Sequence, residues 1–217
     1  ITSAPRTVSL LALISGLAVL PVTAGAATLT VGHSGTYATI GAAAGAASNG
    51  DVIAVSPGTY AECVTLPARN ITIRNANPGG GDVVVQCAGS GSAFYSAAVR
   101  TYTFEDLVVE APDGYGIATN SAAVVLRRVS VAAPQGGAVQ SASLSAVDVD
   151  LSGGDYGAWI SGPVSISTSA GQPRSSLYGG NVALQTESGQ NDLAYLQDVD
   201  LSAYDDGCFW NVYQHEI

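Results

Sequence analysis

Tyr37-Ala-Thr-Ile40, the small-residue run Gly41-Ala-Ala-Ala-Gly-Ala-Ala47, Gly50-Asp-Val-Ile-Ala-Val55 and Ser56-Pro-Gly-Thr-Tyr-Ala-Glu62 form the stretch that decides the fold. Its small apolar residues suit a short amphipathic helix, the β-branched alternation after Gly50 suits a strand, and Ser-Pro-Gly marks a turn. Immediately upstream, Ala27-Thr-Leu-Thr-Val31 reads as another strand. Downstream, Val64-Thr-Leu66, Ile71-Thr-Ile73 and Val83-Val-Val85 continue the series, with Asn75-Ala-Asn-Pro-Gly-Gly-Gly81 as a loop.

This order of strand, helix, strand and turn resembles the opening of the pectin lyase-like superfamily, and the likeness spans about 40 residues. The resemblance implies a single-stranded right-handed parallel β-helix with a short N-terminal capping helix. An apolar solenoid end must be covered, so such a cap has a physical purpose. The rest of the chain supports an all-β solenoid by itself. Phe104-Glu-Asp-Leu-Val-Val109, Leu126-Arg-Arg-Val-Ser-Val131 and Leu144-Ser-Ala-Val-Asp-Val149 each precede a glycine-bearing turn, and Gly116, Gly137 and Gly157 follow one another at 21 and 20 residues. That spacing is one solenoid coil. Alternation points Val129 and Val131 inward, Arg128 and Ser130 outward. A β-sandwich is the alternative, and the near-fixed period counts against it.

Composition narrows the function classes. Only 11% of the 217 residues are charged, there is no Lys or Met, and the net charge is -10 from 17 acids against 7 Arg. Nucleic acid and an anionic membrane surface are therefore excluded as general electrostatic partners. Arg6, the apolar run Val8 to Leu20, Pro21 and Ala24-Gly25-Ala26 read as a signal peptide over residues 1–26, cut before Ala27. The run is too short for the roughly 20 residues of a spanning helix, so no membrane insertion of the mature chain is expected. Residues 27–217 form one β-helix domain, and Glu216-Ile217 offers no cap, so the domain is expected to be truncated at its C-terminal end. Cys63, Cys87 and Cys208 fit no zinc spacing. Export favours one disulfide, and Cys63 with Cys87 is the pair separated by about one coil. Small buried thiols are the alternative.

The acidic pattern Asp148-Val-Asp150-Leu-Ser-Gly-Gly-Asp155-Tyr156-Gly-Ala-Trp159 recurs as Asp198-Val-Asp200-Leu-Ser-Ala-Tyr204-Asp205-Asp-Gly-Cys-Phe, fifty residues on. Two aspartates two apart on a strand share the solvent face, with Val149 and Leu151 turned to the core. Asp148, Asp150, Asp198 and Asp200 are thus candidate Ca²⁺ ligands, and Asp148 and Asp150 candidate acid and base for glycoside hydrolysis. A plain solvated face is the alternative. The resemblance to superfamily lyases implies an arginine base beside a uronate, which makes Arg128 the third catalytic candidate. An arginine does this only in a strongly perturbed site. Pectin methylesterases of the superfamily use two Asp, a Gln and an Arg, and Asp148, Asp150, Gln140 and Arg128 match those types without the longer motifs. Tyr156, Trp159, Tyr204 and Trp210 are candidate sugar-stacking residues, with corner packing as the alternative. The expectation is a secreted or cell-surface β-helix that binds an extracellular polysaccharide, and cleaves it as a lyase or glycoside hydrolase if it is an enzyme. The alternative is a non-catalytic adhesion solenoid.

Overall fold

The structure, a computed structural model, describes residues 25–186, 194–204 and 209–211. In chain order its elements are β1 (Thr28–Val31), α1 (Ile40–Ala46), β2 (Val52–Val55), β3 (Gly58–Tyr60), β4 (Val64–Thr65), β5 (Ile71–Asn75), β6 (Val83–Gln86), β7 (Ser92–Ser96), β8 (Thr101–Glu110) and β9 (Tyr115–Ala133). There follow β10 (Val139–Val147), β11 (Asp150–Gly153), β12 (Tyr156–Ile160), β13 (Val164–Ser167), β14 (Ser175–Gly179), β15 (Val182–Thr186), β16 (Ala194–Gln197), β17 (Val199–Ala203) and β18 (Phe209–Asn211). Every strand pairing is parallel, and the chain winds through about seven turns of a β-solenoid.

Three faces result. Face 1 holds β1, β2, β5, the first half of β8, the middle of β9, the end of β10, β13 and β16. Face 2 holds β3, β6, the ends of β8 and β9, β11, β14 and β17. Face 3 holds β4, β7, the starts of β9 and β10, β12, β15 and β18. Each face sends ladders of apolar side chains inward. Ile53, Ile73, Phe104, Leu126, Ala146 and Ile166 stack in register from face 1, and Val85, Val109, Val131, Leu151 and Leu177 from face 2. These residues are almost fully buried. Burying each large aliphatic contributes about 1.5–3 kcal/mol, which no single coil could gather.

The cap is built as its sequence suggests. Ile40, Ala43 and Ala44 of α1 cover the open end. The Thr39 hydroxyl accepts from Ala42 N, while the two Glu62 oxygens accept from Ile40 N (2.7 Å) and Gly41 N (2.9 Å). Glu62 stands at the first corner between faces 2 and 3, beside Cys63. Cys63 and Cys87 form a disulfide between adjacent coils, with their Cα atoms 4.8 Å apart. Cys208 lies outside the described residues, as do residues 1–24 of the expected leader. No helix among the described residues is long and apolar enough to cross a membrane.

Candidate functional site: a groove at the corner between faces 1 and 2

At this corner the chain turns through one residue in the left-handed region. Asp106, Arg128, Asp148 and Asp198 have φ of 55°, 52°, 56° and 54°, and they are the non-glycine residues with positive φ among those described. A strand bends sharply there without a loop, because one αL residue redirects the backbone. Two coils carry a longer loop at this corner. After Asn75 the chain makes a loop through residues 76–82, held by Asn75, which donates to Gly81 O (2.9 Å) and accepts from Asn77 N (2.8 Å). The second loop, residues 168–174, precedes β14.

The two loops wall a groove of about 590 Å³. Its edge is the stack Asp106, Arg128 and Asp148, and its floor runs through Val108, Ser130 and Asp150 on successive rungs of face 2. Arg128 makes a bidentate pair with Asp106, Nε to Oδ1 at 2.6 Å and one terminal nitrogen to Oδ2 at 2.9 Å. Asp148 accepts from Ser169 N (2.6 Å) and Ser169 Oγ (2.7 Å), which ties down the second loop. Asp150 accepts from Ser176 Oγ, and Arg174 lies 3.2 Å from Asp200.

The groove therefore gathers Arg128, Asp148 and Asp150, the three catalytic candidates. It corrects their presumed placement. Asp148 and Asp150 do not sit two apart on one strand: Asp148 is the αL corner residue, and Asp150 begins β11 on face 2. Val149 and Leu151 are buried as alternation required. Arg128 is held in its charged form. Its hydrogen bonds to Asp106 hold its pKa above the ordinary arginine value, with Glu105 and Asp148 adding in the same direction. A guanidinium so paired keeps its proton and acts as a fixed cation.

The fifty-residue repeat spans two coils. Asp150, Ser176 and Asp200 occupy successive rungs, so Asp150 and Asp200 lie about 10 Å apart by the usual strand spacing. The coil bearing the 168–174 loop separates Asp148 from Asp198 in the same way. Asp148, Asp150, Asp198 and Asp200 thus cannot ligate one Ca²⁺ together, since its oxygens lie about 2.3–2.6 Å from the ion. Among the described residues no group of three His, Cys, Asp or Glu side chains could hold a metal ion.

The aromatic candidates stand elsewhere. Tyr156 and Trp159 lie on face 3, edge to face with ring centres 5.5 Å apart, and Tyr115 is 6.3 Å from Tyr156. Tyr156 is buried, its ring lying over Gly137, where a Cβ would come within 1.9 Å of the ring. Burial, reinforced by Tyr115 and Asp155, raises its phenol pKa far above the usual range. Its ring packs the corner. Gln140 also belongs to face 3, paired in register with Trp159, and its Oε1 accepts from the Tyr156 hydroxyl (3.5 Å). The residue set matched to methylesterases is therefore split between two faces. Tyr204 and Tyr178, 83% and 41% exposed, flank a hollow of about 430 Å³ at the far edge of face 2, floored by Gly153, Gly154 and Gly180. Sequence reading missed Tyr178, although its outward position follows from alternation in β14. Trp210 is paired with Gln185 on β18, and its side chain lies outside the described residues, as does Asp205.

The sequence matches no protein-family model and no characterised protein. Solved structures do match. Pectin methylesterase PemA from Erwinia chrysanthemi superposes with a TM-score of 0.53 at 15% identity, over 82% of this chain and 66% of that one. The chain has the pectin lyase-like β-helix fold. Pectin methylesterase from Aspergillus niger agrees, with a TM-score of 0.51 at 16% identity over 88% of this chain and 82% of the other. This chain thus spans just under two-thirds of the length of the Erwinia protein. At such identities the likeness is one of fold.

Proposed function

We propose that this chain is an extracellular polysaccharide-binding β-helix whose ligand is a neutral or methyl-esterified chain lying in the groove at the corner between faces 1 and 2. The observation that carries the reading is the groove's charge. Four acids, Asp82, Asp106, Asp148 and Asp150, line it against Arg128 and Arg174. A polyuronate would be repelled by that lining and by a net charge of -10, whereas sugar hydroxyls both donate to carboxylates and accept from guanidinium groups. Pectin is the first polysaccharide to try, because both structural neighbours are pectin methylesterases. The Cys63–Cys87 disulfide supports an oxidising, extracellular setting. Tyr178 and Tyr204 would supply a stacking surface at the other edge of face 2, about 7 Å and about 13 Å along the strands from the rung of Asp150.

The test is binding of highly esterified pectin, polygalacturonate and neutral glycans to residues 27–217, with and without Ca²⁺. Released methanol, reducing ends and unsaturated sugar are read in the same samples. Binding of esterified or neutral chains, lost in Arg128→Ala, supports the reading. Preference for polygalacturonate without Ca²⁺, or no binding at all, removes it. Binding without cleavage is the form of this reading favoured by the pairing in the groove, because Arg128, Asp148 and Asp150 each already have a partner there. Product formation in that screen would remove it.

A further inference from the structure

Asp51 is a buried carboxylate, 5% exposed, between the capping helix and β2. One oxygen accepts from Ser48 N (2.7 Å), and the other accepts from Ala27 N at 2.8 Å. Ala27 is also tied by its carbonyl, which accepts from Val52 N (2.8 Å). The ordered ladder starts at this residue: Gly25 and Ala26 are exposed and outside any element, and β1 begins at Thr28. An export peptidase that requires small residues one and three places before the bond would find Ala26 and Ala24 in those places.

We propose that cleavage falls between Ala26 and Ala27 and that the new α-ammonium of Ala27 docks on Asp51. The step consumes one water: the C–N bond breaks, Ala26 leaves with a carboxylate, and the Ala27 nitrogen carries away the protons as an ammonium. An amide donor to a buried carboxylate is thereby exchanged for a cation at the same place. Ala27 is exposed on its other side, so the remaining ammonium hydrogens reach solvent while one stays on Asp51. Processing thus adds an ion pair that clamps the first strand onto the capped end of the solenoid, and the unprocessed chain lacks it.

The composition supplies a clean assay. The chain has no Lys, so the α-ammonium is the only primary amine of the mature protein. Intact mass of the secreted protein should give a chain starting at Ala27. Acetylation with an N-hydroxysuccinimide ester, followed by mass spectrometry, should add a single acetyl group. It should do so about tenfold more slowly in the native protein than in a chain engineered to start at Ala24, the change expected from about one unit of pKa. Asp51→Asn should remove the protection from the Ala27 form and leave the Ala24 form unchanged. Should that variant not fold, unfolding the wild type in urea provides the same comparison. A mature terminus elsewhere, or equal labelling of the native Ala27 and Ala24 forms, overturns the proposal.

Discussion

Arg128 allows the corner geometry to be tested by the sign of an effect. Its φ is 52°, a conformation that costs an L-residue about 1–2 kcal/mol and costs glycine nothing. Glycine in turn loses more backbone entropy on folding, worth about 0.5–1 kcal/mol relative to alanine. Arg128→Gly and Arg128→Ala both delete the pair to Asp106, so that loss cancels between them. The difference leaves Arg128→Gly more stable than Arg128→Ala by about 0.5–1 kcal/mol. Ser130, two residues on in β9 with strand geometry, is the control: there Ser130→Ala should exceed Ser130→Gly by a similar amount. Urea unfolding followed by far-ultraviolet circular dichroism resolves this, because the expected gap is about 0.2–0.5 M at a slope near 2 kcal/mol/M. If glycine is the weaker residue at both positions, the chain does not turn on an αL residue at 128, and the groove edge is built differently.

Gly114→Ala should destabilise the fold by about 3 kcal/mol, because a Cβ there would sit 1.8 Å from Gly91 O of the preceding coil; thermal unfolding against Gly45→Ala, where a Cβ meets nothing within 4 Å, measures it. Reducing the Cys63–Cys87 disulfide, which closes a 24-residue separation, should cost about 3 kcal/mol, read as a lowered urea midpoint in Cys63→Ser. Asp51 is held below its ordinary pKa by hydrogen bonds from Ser48 and Ala27. Its stabilisation is therefore complete above the unfolded value near pH 3.9 and fades as pH falls through the lower folded value, a slope that Asp51→Asn should flatten in pH 2–5 denaturation series. Tyr178→Ala should weaken binding of long esterified pectin oligomers about tenfold and Tyr178→Phe should retain it, as isothermal calorimetry would show.

The solenoid was legible because its signal is periodic. Val129, Val131, Val149 and Leu151 point inward as alternation demands, and Cys63 pairs with the cysteine one coil away. The corner was not legible, since an αL residue leaves no compositional trace when it is Asp or Arg instead of Gly. Reading Asp148 and Asp150 as one strand face followed from that. Alternation is local, whereas the face on which Gln140 or Trp159 falls depends on how many residues each corner consumes. The coil step is 20 residues from Val125 to Ser145 and from Ser145 to Ser165, yet 31 from Thr72 to Thr103 and 30 from Ser165 to Tyr195. Those two long steps are the coils with corner loops.

The same two insertions explain why a groove exists at all. A solenoid with uniform one-residue corners would present a flat edge, and a flat edge holds a polymer poorly because it buries little of it. Here three short corners, at Asp106, Arg128 and Asp148, lie between two long ones, so the loops rise as end walls along the solenoid axis. Asp148 then has two consequences at once: its carboxylate fixes Ser169 and hence the second wall, and it presents negative charge beside Arg128. Asp148→Ala should therefore weaken ligand binding even where no bond is broken in the ligand, by loosening residues 168–174. Asp148→Asn, which can still accept from Ser169, should restore part of it. Proteolysis within 168–174 separates this effect from a lost charge: faster cleavage in Asp148→Ala than in Asp148→Asn is expected, and equal cleavage with equal loss of binding would assign Asp148 to the ligand instead.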